Sequence, residues 1–127
     1  MPEEAGNRHH DLGNWAKAYE LLRPCGMVPG VSGKTLYRLA EHVGVYGQGE
    51  YVSREVRHFK WIGLYFRSAL EGYGPGITKF ADALDTKARV VADNASAEMA
   101  ICLRSTLNSP DIGRERLVKN CLPKRDP

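Results

Sequence analysis

Four histidines, three cysteines and one glycine-rich phrase are the residues of this 127-residue chain with the most obvious chemistry to offer. His9 and His10 are adjacent, while His42 and His58 stand alone. No cysteine or carboxylate sits at ligand spacing from them, so the pattern predicts surface imidazoles and no metal site. Cys25, Cys102 and Cys121 are an odd set with no CxxC spacing. They predict buried thiols, and neither a zinc site nor a disulfide framework, with Cys102 and Cys121 able to pair in an oxidising setting. The phrase PGVSGKT, ending in Gly33-Lys34-Thr35, echoes a phosphate-binding loop. Position 28, however, is Val28 where that motif needs glycine, and the proline-rich stretch before it cannot supply the required strand. There is no GxSxG, no HExxH and no close pair of carboxylates inside an apolar run. The expectation is a protein that is not an enzyme, takes no cofactor or small-molecule substrate, and works by binding or assembly.

The most informative segment is Tyr51 to Glu71, read as the longest helix. On a wheel of about 100° per residue, Val52, Val56, Phe59, Gly63, Phe66 and Leu70 share one narrow stripe, the expected core face. Gly63 in that stripe would let a second helix approach. Arg54, Arg57, His58, Trp61 and Tyr65 lie opposite, with Lys60 and Arg67 nearer the stripe. A basic face carrying aromatic rings suits nucleic acid, where cations neutralise phosphates and flat rings contact sugars or bases. The bland alternative packs Trp61 and Tyr65 against another helix, with the arginines extending from the edge.

The elements that must position these residues read as all-α. Residues 1–10 are expected to be a flexible lead. Asp11 or Asn14 caps a helix to Arg23 with Trp15, Ala18, Tyr19 and Leu22 on one face. Pro24 to Gly33 cannot be helix and marks the best boundary in the chain. A short helix from Lys34 to Val43 turns Leu36, Leu39, Ala40 and Val43 inward, and Gly44 to Glu50 breaks it. Gly72 to Gly76 stops the long helix. The next starts at Ile77 and spaces Phe80, Ala81, Leu84, Ala88 and Val91 by three and four. Asp93 to Ser96 breaks or caps it, a fifth helix spans Ala97 to Leu107, and Ser109-Pro110 starts a last one to Cys121. The fold class predicted is an all-α helical bundle with an N-terminal arm containing one helix. Residues 1–33 form the arm; residues 34–127 form the bundle core with a basic C-terminal tail.

Charge is segregated along the chain. The net charge is +3, and residues 114–127 hold five Lys/Arg against two Asp/Glu, whereas residues 71–113 hold four against six. No stretch approaches the roughly 18 unbroken apolar residues of a membrane span, and no secretory signal opens the chain.

The layout resembles the major coat proteins of filamentous and rod-shaped archaeal viruses: rudiviruses, lipothrixviruses and tristromaviruses. The resemblance rests on the arm Gly13-Asn-Trp15-Ala-Lys-Ala-Tyr19, on a short helix ending in a glycine turn (Leu39 to Gly49), and on the basic helix Tyr51 to Leu70. It continues through the glycine-rich break Gly72 to Gly76, the Asn-containing turn Asp93 to Ser96 and the Ser-Pro turn Asn108 to Gly113. It implies a virion coat subunit, made in the host cytoplasm, that pairs with a like or related coat protein and polymerises into a helical nucleocapsid. It also implies that the subunit wraps double-stranded DNA, held in the A-form, without regard to sequence. Charge and position assign the DNA-contacting role to Arg8, Trp15, Lys17, Arg23, Lys34, Arg38, Arg54, Arg57, Lys60 and Arg67. Two further readings stand beside it. Leu39 to Gly44 followed by Val52 to Val56 echoes a helix-turn-helix regulator with an over-long turn, and a virus-encoded helical inhibitor of a host protein is the other.

Overall fold

A computed structural model of the chain describes residues 2–46 and 53–123. Among these residues there are seven α-helices, two short 3-10 segments and no strand. α1 spans Pro2–Asp11, α2 Trp15–Leu22, α3 Gly33–Tyr46, α4 Arg54–Leu70, α5 Gly74–Val91, α6 Asn94–Ser105 and α7 Arg114–Cys121. The all-α bundle expected from periodicity is what the chain forms.

Several boundaries differ from those expected, each for a local reason. From Pro2 onward the predicted flexible lead is α1. It has no apolar stripe, but it has Pro2 in the first turn, Glu3 and Glu4 beside the positive end of the helix dipole, and Arg8, His9 and His10 beside the negative end. Pro24 does not abolish helical structure: it sits near the start of a 3-10 segment, Arg23–Met27, where its missing N–H costs nothing. α3 begins where the Ser32 hydroxyl accepts a hydrogen bond from the Thr35 amide at 3.2 Å and runs on through Gly44 to Tyr46. The rest of the expected break, Gly47 to Glu50, and the positions Tyr51 and Val52 lie outside the described residues. Ser53 caps α4 by accepting from the Val56 amide at 3.2 Å, and Asp93 caps α6 by accepting from the Ser96 amide at 3.2 Å. α7 starts later than Ser109-Pro110 predicts, after Gly113 has turned the chain in the left-handed region at φ 85°.

Two hydrophobic clusters fill the interior. The first joins Tyr19, Leu22, Cys25 and Val31 to Leu36, Leu39, Ala40 and Val43 of α3 and Leu64 and Tyr65 of α4. The second joins Ala69 of α4 to Ile77 and Ala81 of α5, Ala100 and Leu103 of α6, and Val118 of α7. α4 therefore walls both. Residues 2–33, expected as an arm, fold onto α3 and supply four side chains to the first cluster.

Three helices meet closely at the small residues Gly33, Ser68 and Gly76. The Ser68 hydroxyl donates to the Gly33 carbonyl at 2.6 Å, and a Cβ on Gly76 would stand 2.3 Å from Ser68 Oγ and 2.7 Å from its Cβ. Gly63, the glycine expected to admit a neighbour, faces open space instead. Gly76→Ala is accordingly expected to destabilise the fold by about 1–3 kcal/mol through overpacking, read from denaturant midpoints. Gly63→Ala, which meets nothing, should leave the midpoint unchanged or raise it.

Cys102 and Cys121 form a disulfide from α6 to α7, with Cα atoms 5.6 Å apart, and Cys25 is a buried free thiol. The thiols expected at positions 102 and 121 are thus a bridge. Spacing in sequence hid it, because the folding back of α7, not a motif, brings the two together.

Candidate nucleic-acid interface

The orientation of α4 decides which of the expected contact residues face outward. Its buried residues are Leu64, Tyr65, Ser68 and Ala69. Tyr65 is 3% exposed, and Trp61 packs against the same cluster. The expected core stripe runs the other way at its start: Val56 is 45% exposed and Phe59 79%. Farther along, Phe66 meets Phe80 of α5 at 5.0 Å between ring centroids. Of the two readings, packing against a neighbouring helix is the one that Tyr65 follows, while Trp61 is partly buried against the cluster and also borders the surface.

The physical reason is that α4 has two helical neighbours. Small Ser68 and Ala69 admit α3 and α5 closely, and the amphipathic rings fill the space toward α3. Tyr65 can be buried because its hydroxyl donates to Glu41 Oε1 at 2.7 Å. Burial, with that bond, drives the Tyr65 hydroxyl far above the ordinary phenol range. Tyr37 is pushed up to about 12 by burial and by the Glu41 carboxylate. Both rings stay protonated at neutral pH.

Among the expected cations, several already have partners within the chain. Arg38 pairs with Asp11 at 2.7 Å and donates to the Asn7 side chain at 3.0 Å. Arg67 donates to the Gly26 and Val28 carbonyls, which ties α4 to the loop before α3. Lys17 reaches Glu20 at 3.5 Å, and the Arg23 guanidinium lies 5.8 Å from the centre of the Tyr19 ring. Arg8 and Lys34 are exposed, as is Trp15 at the start of α2.

Arg54, Arg57 and Lys60 are different. No carboxylate lies within ion-pair distance of them among the described residues. The structure gathers Arg54 and Arg57 with Glu55, His58, Phe59 and Trp61 around one shallow depression, of whose lining Lys60 is not part. It does not bring Lys34 to them. Gly33 at the head of α3 meets Ser68 near the end of α4, and Gly44 meets Trp61, so the two helices run antiparallel. At 1.5 Å per residue, Lys34 is roughly 20 Å along the axis from the start of α4.

A second depression adjoins the first through His58 and Phe59. It runs between α4 and α5 and is lined mainly by Phe59, Ile62, Phe80, Leu84, Val90 and Val91. Val90 is 76% exposed. Sequence reasoning assigned Phe59 to the interior and so missed this groove. Lys87, which lines this groove, lies 3.5 Å from Asp93, and Arg104 pairs with Asp82 at 2.7 Å and with Asp85.

No set of three or more His, Cys, Asp or Glu side chains is placed to hold a metal among the described residues. No helix there is long and apolar enough to cross a membrane. Fold and surface define an all-α helical protein with a basic depression running into an apolar groove. No protein-family model, curated protein or solved structure matches the chain.

Proposed function

We propose that the chain is a non-enzymatic structural subunit that coats double-stranded DNA through sequence-independent contacts and assembles with further subunits, as in the coat proteins its layout resembles. The observation carrying this reading is that Arg54, Arg57 and Lys60 on the N-terminal half of α4 form no ion pair among the described residues, and that Arg54 and Arg57 share one depression with Glu55. Duplex DNA carries about one negative charge per 1.7 Å of axis, and unpaired guanidinium groups are the side chains best suited to its phosphates. The start of a 17-residue helix adds its own partial positive charge there. Such contacts read the backbone and carry no base information. The exposed apolar groove supports the assembly half of the proposal, since a monomer gains nothing by leaving Phe59, Val90 and Val91 in water.

The contact set is narrower than the one charge alone assigns. Arg54, Arg57 and Lys60 lead it, with exposed Arg8, Trp15 and Lys34 as further candidates. Arg38 and Arg67 hold the fold together and Lys17 pairs along its own helix.

The test is duplex binding across a salt series by fluorescence anisotropy. Replacing Arg54, Arg57 and Lys60 together with alanine should weaken binding to every sequence alike. It should also flatten the log K against log salt slope by about 2.7, at about 0.9 per lost phosphate contact. An unchanged slope removes α4 from the DNA face. Negative-stain microscopy of the protein mixed with long duplex should show filaments; particles that stay monomeric count against the coat reading.

A further inference from the structure

A chain of polar contacts runs from α1 to α3 and the residue that caps it. Glu3 Oε1 accepts hydrogen bonds from the Thr35 hydroxyl at 2.7 Å and the Ser32 hydroxyl at 2.9 Å. Asn7 donates to Thr35 at 2.9 Å and accepts from Arg38, which also pairs with Asp11. At the end of these contacts His10 Nδ1 lies 3.0 Å from His42 Nε2, with the rings edge to face. The only buried residue of α1 is Gly6, which rests on Leu22. α2, by contrast, buries Ala18, Tyr19 and Leu22. α1 thus meets α3 through hydrogen bonds and rests on α2 through Gly6 against Leu22.

We propose that α1 is a pH-released strap, held on α3 by the His10–His42 pair at neutral pH and detached by mild acid while the rest of the bundle stays folded. A hydrogen bond between two imidazoles needs one N–H and one bare nitrogen, so a second proton sets N–H against N–H. The first proton is already disfavoured by its surroundings. The groups facing the pair are His9 and Asp11 of α1, Tyr19 of α2, and Lys34, Arg38, Glu41 and Tyr46 of α3. Lys34 and Arg38 repel an added charge. The two carboxylates that would welcome it are committed, Asp11 to Arg38 and Glu41 to Tyr65.

Burial holds both imidazoles below their ordinary value of 6.5, with the Arg38 charge adding to the effect at His10 and the charge of His10 adding to it at His42. A released strap lets the rings return toward that value, so the open form binds more protons. Closure is therefore fully favoured above about pH 6.5 and weakens as pH falls below it. Local release needs only a sub-global opening, since Gly6 is the one buried residue of α1.

The experiment is amide hydrogen exchange followed by NMR at pH 7.5 and pH 5, expressed as protection factors so that the intrinsic pH dependence is removed. Protection across α1 should fall about tenfold or more at pH 5, while α5 and α6 keep theirs. His10→Gln and His10→Ala, both on the half-exposed helix, should remove most of that pH dependence. The proposal is overturned by equal α1 protection at the two pH values, by a parallel loss in α5 and α6, or by a pH response that survives both substitutions. None of these readouts involves DNA.

Discussion

Leu22→Ala is expected to lower the stability of the entire chain by about 2–5 kcal/mol, the range for a large-to-small change in a packed core. Leu22 is fully buried, belongs to the cluster that includes Leu36, Leu39 and Leu64, and presses its side chain against Gly6. Removing it opens a cavity that α2 and α3 must share and takes away the surface on which α1 rests. Urea unfolding followed by circular dichroism gives the number. The result also tells whether residues 2–33 are integral to the bundle. An arm that merely lies on the surface would let the same substitution pass with a few tenths of a kcal/mol.

Breaking the Cys102–Cys121 bridge is expected to cost about 3 kcal/mol, because a cross-link closing a loop of this length removes about that much chain entropy from the unfolded state. That corresponds to a fall in Tm of about 10 °C for a domain of this size. The native contacts of α7 point the same way. Val118 is its one buried residue, and Arg114 anchors its start by pairing with Asp111 at 2.7 Å and donating to the Ser109 carbonyl at 2.9 Å. Thermal unfolding with and without a thiol reductant measures the effect, and a Cys102→Ser, Cys121→Ser double variant repeats it without reductant. Identical midpoints in all three samples would mean that α7 holds its place without the bridge.

Periodicity made much of the fold legible. Leu36, Leu39, Ala40 and Val43 are buried as their spacing predicts, and so are Ala18, Tyr19 and Leu22, although Trp15, read on the same face as these three, is 54% exposed. Those helices each present a single apolar stripe, so the wheel has one answer. α4 defeated the wheel because it has two packed sides. Its Val56, Phe59, Phe66 stripe is the greasier by residue type, yet its smaller and more polar side is the one sealed in, where Tyr65 finds Glu41 and Ser68 finds Gly33. α1 was invisible for the opposite reason: a helix fixed by Glu3, Asn7, His10 and Asp11 has no apolar period to detect.

The candidate interface shows the same division. Arg54, Arg57 and Lys60 are candidates by charge and position. Charge alone could not show that Arg38 and Arg67 are already bound within the chain, since Arg38–Asp11 and Arg67–Gly26 join residues far apart in sequence. The contact of His10 with His42, 32 residues away, likewise has no local signature.

Because one helix walls both hydrophobic clusters, the two interiors cannot be separated at the Gly72 turn. A cut at the Gly72 turn would leave the N-terminal piece holding the outer flank of its neighbour's interior and the C-terminal piece lacking it.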